Sequence, residues 1–129
     1  MDASVIAKYV TKEKGWNRIT ELLKDSETLD LALVEVSNVI WKKVVLTNEI
    51  TLQDANKAIM IIKEYLPQLL TVNKSVKLLE RAIDMSIREK LTIYDSLYIA
   101  LAESKRSKLL TSDKKQYEVA RKYVDSELF

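Results

Sequence analysis

The sequence of 129 residues contains no cysteine and no histidine, and these two absences exclude many kinds of site. Without cysteine there is no disulfide, no zinc–thiolate centre and no thiol nucleophile. Without histidine there is no Ser-His-Asp triad, no imidazole base and no histidine-bound zinc. Any catalysis must therefore rest on carboxylates, lysines, tyrosines, hydroxyls or a metal ion held by oxygen atoms.

Long apolar runs and a strong net charge are also lacking. No run approaches the roughly 20 apolar residues that a membrane-spanning helix needs. The N-terminal MDASVIAKYV lacks the basic start and long apolar core of a secretory signal, so we expect a cytoplasmic protein. The net charge is only +2, so any basic surface for a polyanion must be local. The length suggests one domain over residues 1–129.

Glycine and proline occur once each, as Gly15 and Pro67, so helices should dominate. Apolar residues at helical spacing predict helices over residues 4–11, 15–25, 32–46 and 52–66, then from Ser75, from Thr92 or Asp95, and from Asp113. Thr51 is the expected N-cap of the fourth helix, with Asp54 at the capping-box position. Pro67 is expected just past the end of that helix.

Short apolar segments separate these helices. The β-compatible segments are Thr28–Leu31, Leu69–Val72, Lys108–Thr111 and Tyr123–Phe129. Such segments alternating with amphipathic helices predict an α/β fold, in which a small parallel sheet of about four or five strands has helices on both faces.

Four acidic residues lie where an acid is unusual. Asp2 precedes an apolar helix, Glu35 lies inside the apolar run LALVEVSNVIW, Asp95 begins the apolar segment DSLYIALA, and Asp113 directly follows the strand-like KLLTS. Asp2 and Asp113 could simply cap helices, and Asp95 has capping-box spacing from Thr92. Glu35 could form a salt bridge with a lysine at position 42 or 43, or lie at a partly exposed rim position, because a buried, unpaired carboxylate is costly.

The four acids also suggest a shared site. Three of them follow, or could follow, the carboxyl end of a parallel strand and open a helix, and ligands bind at that edge of open α/β sheets. Capping and ligand binding are therefore compatible. Clustered carboxylates repel one another unless a divalent cation neutralises them, and oxygen ligands suit Mg²⁺ or Mn²⁺.

The sequence resembles the PIN-domain nucleases, and within them the VapC-like toxins of type II toxin–antitoxin pairs, in four stretches. These are MDASVIAKYV, LALVEVSNVIWK, LTIYDSLYIALAE and LLTSDKKQYEVA, in this order along nearly the whole chain. The resemblance implies a PIN-like fold with catalytic and metal-binding acids at Asp2, Glu35, Asp95 and Asp113. It also implies supporting roles for Ser4, Asn38, Thr111 and Ser112. Only Met1 precedes the first acid, so the first strand should be very short or cut off by the start of the sequence.

The activity implied by the resemblance is cleavage of an RNA phosphodiester by water that Mg²⁺ or Mn²⁺ activates. Homodimers and a cognate antitoxin are the partners it implies. The candidate RNA-binding cations are Lys8, Lys14, Lys42 and Lys114, with Lys12, Arg18, Lys43 and Lys115 nearby. Two other functions stay open: an RNA-processing PIN nuclease without an antitoxin, and a non-catalytic helical interaction module.

Overall fold

A computed structural model describes all residues from 1 to 129. The strands are β1 (Glu27–Leu29), β2 (Thr71–Asn73), β3 (Leu109–Thr111) and β4 (Ser126–Leu128). The helices are α1 (Ala3–Val10), α2 (Trp16–Leu23), α3 (Asp30–Val45), α4 (Leu52–Met60), α5 (Leu66–Leu69), α6 (Leu79–Glu89), α7 (Ile93–Lys105) and α8 (Lys114–Ala120). A π turn (Ile61–Tyr65) joins α4 to α5, and a 3₁₀ turn (Ser75–Leu78) precedes α6.

The strands form two parallel pairs, β1 with β2 and β3 with β4. The first two residues lie between the pairs. The Met1 ammonium donates to the Glu27 carbonyl at 2.9 Å, and the Asp2 N–H donates to the Leu110 carbonyl at 3.0 Å. The predicted α/β fold with parallel strands is confirmed, although the four strands form two separate pairs rather than one sheet of four or five. Met1 and Asp2 belong to no strand, and they bring the start of α1 to the carboxyl end of β3.

Helix α7 is the centre of the core. Every residue from Ser96 to Ala102 is buried, on all sides of the helix. A helix that is apolar all round must be enclosed by other elements, and α7 packs against α6, β1 and β3. Burying a side chain such as Leu97 or Ile99 contributes about 1.5–3 kcal/mol. The position of Asp95 in the first turn of this helix is therefore fixed by the core.

The helix end predicted before Pro67 is wrong. Pro67 lies inside α5, and residues 61–65 wind as a π turn in which the Leu66 N–H bonds to the Ile61 carbonyl, five residues back. Proline has no N–H, and in a regular helix its ring clashes with the carbonyl four residues earlier. The wider π turn removes this conflict, so the chain remains helical through the proline.

Apart from Pro67, the helix caps and element boundaries predicted from local sequence agree with the structure. Thr51 and Asp54 form a reciprocal capping box at the start of α4, as predicted. Strands and helices elsewhere begin or end within a few residues of the predicted positions, for example at Asp30 rather than Ala32 for α3. None of the helices combines the length and apolar character that crossing a membrane requires.

Candidate active site

Asp2 is a buried carboxylate at the N-cap of α1, with only 4% of its surface exposed. The Val5 N–H donates to Oδ1 at 3.1 Å, the Thr111 hydroxyl donates to Oδ2 at 2.8 Å, and the Ser4 hydroxyl lies within 2.9 Å of both oxygens. Burial raises the pKa of Asp2, while these donors and the Met1 ammonium oppose the rise. The predicted capping role of Asp2 is therefore real.

The carboxylate of Asp2 keeps room for one further ligand. A carboxylate offers about four lone-pair positions, and one hydroxyl supplies one proton. Val5, Thr111 and Ser4 together supply three donors. One position is left, so Asp2 could bind a cation through a single oxygen without losing any protein contact.

Three of the predicted supporting residues tie the first and last acids together. The Ser4 hydroxyl accepts the Ser112 N–H at 2.8 Å, and the Thr111 hydroxyl accepts the Asp113 N–H at 3.0 Å. Because Ser4 and Thr111 also donate to Asp2, two hydroxyls connect the start of α1 to the end of β3. Asn38, the fourth, is exposed on α3 one helical turn beyond Glu35.

Glu35 lies in the second turn of α3 and is only partly exposed. Its partner is the Tyr98 hydroxyl, which donates to Oε1 at 2.6 Å. The alternative of a salt bridge is wrong, because Lys43 pairs with Glu13 and Glu49 and Lys42 forms no ion pair, whereas the alternative of a partly exposed position is correct. Burial raises the pKa of Glu35, the Tyr98 hydrogen bond opposes this, and the negative charges of two neighbouring acids, Asp95 and Asp2, add to it.

Asp95 and Asp54 occupy the same helix position in different surroundings, although only Asp54 also accepts the backbone N–H of its N-cap threonine and so completes a capping box. Each is the third residue of a helix, and each accepts the hydroxyl of its N-cap threonine at 2.8 Å, from Thr92 and Thr51 respectively. The pKa of Asp54 is lowered by the Thr51 hydrogen bonds. The pKa of Asp95 is raised, mainly by burial and further by the charge of Asp113. Helix capping alone therefore does not explain Asp95.

Asp113 is the N-cap of α8 and is exposed. Its Oδ1 accepts the Gln116 N–H at 2.8 Å, so the predicted capping role is confirmed. The Gln116 side chain is fully buried and donates to the Asp95 backbone carbonyl at 3.1 Å. Gln116 therefore connects the beginnings of α7 and α8, and with them the two acids.

The four predicted acids share one electrostatic neighbourhood. The charge of Asp2 and that of Asp95 both raise the pKa of Glu35, and the charge of Asp113 raises that of Asp95. The side chains do not form a closed cage, because no group of three acids converges closely enough to hold a metal ion in this arrangement. Each keeps at least one hydrogen bond of its own. This acidic surface is partly open: Asp113 is exposed, Glu35 and Asp95 are partly exposed, and Asp2 is buried. Asp113 follows a strand, as predicted, whereas Asp95 follows α6 and a short loop.

The donor atoms around this surface suit a hard divalent cation. Every candidate ligand is an oxygen, as Mg²⁺ and Mn²⁺ prefer. Three buried polar atoms in the chain lack a hydrogen-bond partner: Ser96 Oγ, Ser112 Oγ and Gln116 Oε1. Ser96 follows Asp95 and Ser112 precedes Asp113. Because buried polar atoms are normally hydrogen-bonded, these atoms near the acids in sequence are compatible with polar ligands at this surface.

The candidate RNA-binding cations divide into two groups. Lys8 donates to the Phe129 carbonyl, Arg18 pairs with Glu127 and stacks on the Phe129 ring, and Lys43 is paired as described above, so these three are engaged by the protein. Exposed lysines without an acidic partner lie at positions 14, 42, 114 and 115. The charge of Lys115 reaches Asp95 and lowers the pKa of that acid.

Two residues of the site were missed by sequence reasoning. Tyr98 and Gln116 both lie in runs whose pattern indicates core or helix surface. The spacing could have indicated Tyr98, because a residue three positions after Asp95 lies on the same helix face and therefore near the site. For Gln116 the spacing from Asp113 indicates a cap, and nothing local shows that the amide reaches another helix.

The sequence model of the PIN domain matches residues 1–122. The chain belongs to the PIN domain family. Among curated proteins, this PIN domain is 32% identical over 121 residues to Ribonuclease VapC3 of Pyrobaculum aerophilum, covering 92% of this chain and 91% of that protein. Among solved structures, it resembles PAE2754 from the same organism with a TM-score of 0.73 and 22% identity, covering 97% of this chain and 85% of that one. The match to Ribonuclease VapC3 confirms the resemblance to PIN nucleases of the VapC type, and the match to PAE2754 confirms the fold.

Proposed function

We propose that this PIN domain is a divalent-metal-dependent endoribonuclease, the toxin of a type II toxin–antitoxin pair, acting in the cytoplasm as one catalytic domain over residues 1–129. The observation that carries the proposal is the linkage of the acids by hydrogen bonds: Ser4 and Thr111 join Asp2 to the backbone beside Asp113, and Gln116 joins the start of α8 to Asp95. The charges of Asp2 and Asp95 also raise the pKa of Glu35. Kinship with Ribonuclease VapC3 over nine-tenths of the chain supports RNA as the substrate.

Each acid has a role that its contacts support. Asp2, Glu35 and Asp95 would hold Mg²⁺ or Mn²⁺, with Asp113 completing the set. When bound, such a cation lowers the pKa of water and neutralises charge at a phosphodiester. Three hydrogen-bond donors hold the Asp2 carboxylate in place, and one of its lone-pair positions remains for the cation. The exposed Lys114, next to Asp113, can contact a backbone phosphate, which makes RNA binding salt-sensitive without selecting a sequence.

Two exposed apolar stripes support the proposal of an antitoxin and a homodimer as partners. Helix α3 exposes Val34, Trp41 and Val45 along one line, and α6 exposes Leu79, Ile83 and Ile87 along another. Apolar stripes of this kind mark contacts between proteins. Light scattering on the isolated chain tests the dimer, and co-purification with the product of an adjacent small gene tests the antitoxin.

Asp95→Asn tests the catalytic role. We expect it to abolish Mg²⁺- or Mn²⁺-dependent RNA cleavage while the protein stays folded, because the amide keeps the Thr92 contact and loses the charge that a cation needs. Asp54→Asn is the matched control, since Asp54 has the same helix position and the same threonine contact but lies outside the acidic surface. Cleavage of a labelled RNA is measured with and without EDTA.

The result also separates the other candidate functions. Full cleavage by Asp95→Asn would end the proposal that this acid is catalytic. A non-catalytic interaction module would show no cleavage at all and no rise in melting temperature on adding Mn²⁺, whereas a folded state that binds the cation is stabilised by it. An RNA-processing nuclease would cleave RNA but would have no inhibitory protein encoded beside it.

A further inference from the structure

The Tyr98 hydroxyl is the sole protein donor to Glu35. It donates to Glu35 Oε1 at 2.6 Å, and Oε2 has no protein partner. Tyr98 belongs to the buried core of α7, with 2% of its surface exposed, whereas Glu35 projects from α3, 63 residues away in sequence. A rigid ring fixed by core packing thus holds one oxygen of a flexible side chain.

Resting on the function proposed above, we propose that Tyr98 is a positioning residue, which fixes Oε1 of Glu35 so that Oε2 is presented to the divalent cation. Asp95 and Tyr98 are three residues apart on α7 and so share one helix face. Helix α7 therefore supplies one acid directly and orients a second. Partners that orient the ligands of a metal in this way govern its affinity.

A simpler explanation is that a buried tyrosine hydroxyl needs any acceptor. The same chain offers a comparison, because the Tyr123 hydroxyl donates to Glu89 Oε1 at 2.7 Å. There the other carboxylate oxygen is taken by the Lys122 ammonium at 2.6 Å, so the charge of Glu89 is neutralised within the protein. Glu35 receives no ammonium or guanidinium. No cationic group of the protein neutralises this carboxylate, so its second oxygen stays available to a cation.

The test compares Tyr98→Phe with Tyr123→Phe. Each change removes one hydroxyl that donates to a glutamate, and each retains the ring. The melting temperature is followed while Mn²⁺ is added, and the concentration giving half of the stabilisation is determined. We expect this concentration to rise about tenfold in Tyr98→Phe, in line with losses of other ligand-orienting contacts, and to stay unchanged in Tyr123→Phe.

Two further measurements distinguish positioning from packing. In a Glu35→Gln background, Tyr98→Phe should produce no additional rise, because its effect passes through Glu35. RNA cleavage by Tyr98→Phe should recover at saturating Mn²⁺, because weaker binding of a cation is overcome by mass action. A packing defect would not be rescued by the cation.

The outcomes are decisive in both directions. A tenfold rise that vanishes in the Glu35→Gln background supports the inference. An unchanged midpoint, an equal rise in the Glu35→Gln background, or a Tyr98→Phe protein that does not fold would overturn it. If the wild-type chain itself neither cleaves RNA nor responds to Mn²⁺, the proposed function fails as well. If the wild type is stabilised by Mn²⁺ and Tyr98→Phe has the same half-stabilising Mn²⁺ concentration, the positioning role alone is refuted.

Discussion

Thr111 makes two buried hydrogen bonds whose removal has a predictable cost. Its hydroxyl, fully buried, donates to the Asp2 carboxylate at 2.8 Å and accepts the Asp113 N–H at 3.0 Å. Thr111→Val keeps the shape of the side chain and removes both bonds. A hydrogen bond to a charged group contributes about 1.5–3 kcal/mol, and a neutral one contributes about 1 kcal/mol. We therefore expect the free energy of unfolding to fall by about 2.5–4 kcal/mol.

Thr28→Val is the matched control for this change. Thr28 is also fully buried, but its hydroxyl makes one neutral bond, to the Met1 carbonyl at 2.9 Å. Its loss should cost only about 1 kcal/mol. Both variants are compared with the wild type by urea denaturation in EDTA at neutral pH, followed by circular dichroism. A Thr111→Val cost equal to or below that of Thr28→Val would refute the assignment of a charge-assisted bond to Asp2.

Acidification should shrink the cost of Thr111→Val. Burial raises the pKa of Asp2 in the folded protein, so protonation of this group favours the folded state as the pH falls through that pKa. Once Asp2 is neutral, Thr111 bonds to an uncharged group, and its loss costs less. Acids elsewhere, such as Glu27, titrate alike in both proteins and cancel in the difference. A cost that grows on acidification would contradict this account.

Two other variants test charges in different surroundings. Glu35→Gln in EDTA should be more stable than the wild type at neutral pH, because burial and neighbouring acids oppose the ionised form of Glu35. This difference in stability should disappear as the pH is lowered through the raised pKa of Glu35. Urea denaturation at several pH values measures it. Arg81→Ala should lower the free energy of unfolding by about 1 kcal/mol, because two guanidinium nitrogens of Arg81 bind Glu103 across α6 and α7 in a half-exposed setting. An unchanged denaturation midpoint in Arg81→Ala would show that solvent screens this ion pair.

The sequence was sufficient where the controlling interactions are local. The capping box of Thr51 with Asp54 and the N-cap at Asp113 depend on residues within three positions of one another, and both form as predicted. The strand over Leu109–Thr111 is a fully buried run bounded by polar residues, so its pattern was clear. These local patterns locate the ends of helices and strands, and therefore also the acids that lie at those ends.

The remaining errors come from interactions that sequence spacing does not encode. The conflict at Pro67 is resolved by a change of helical winding several residues earlier, and no local rule announces that change. One alternative for Glu35 was a salt bridge with a nearby lysine on its own helix. Its partner is instead Tyr98 of α7, a residue 63 positions away in sequence. The roles of the four acids remain predictions from the family resemblance, and the structure gives the contacts that surround each of them.

The contrast between Asp54 and Asp95 shows that the same helix position can give a carboxylate a lowered or a raised pKa. In both, a threonine hydroxyl and the start of a helix favour a carboxylate, and at Asp54 this results in a lowered pKa. At Asp95 the threonine hydroxyl contact is outweighed by burial and by the charge of Asp113, and the pKa is raised. Burial and the charge of Asp113 therefore disfavour the ionised form of Asp95, which lies in the first turn of a helix that is part of the core. A divalent cation would relieve that cost, so we expect Mn²⁺ to stabilise the wild type more than Asp95→Asn, and to stabilise Asp54→Asn as much as the wild type.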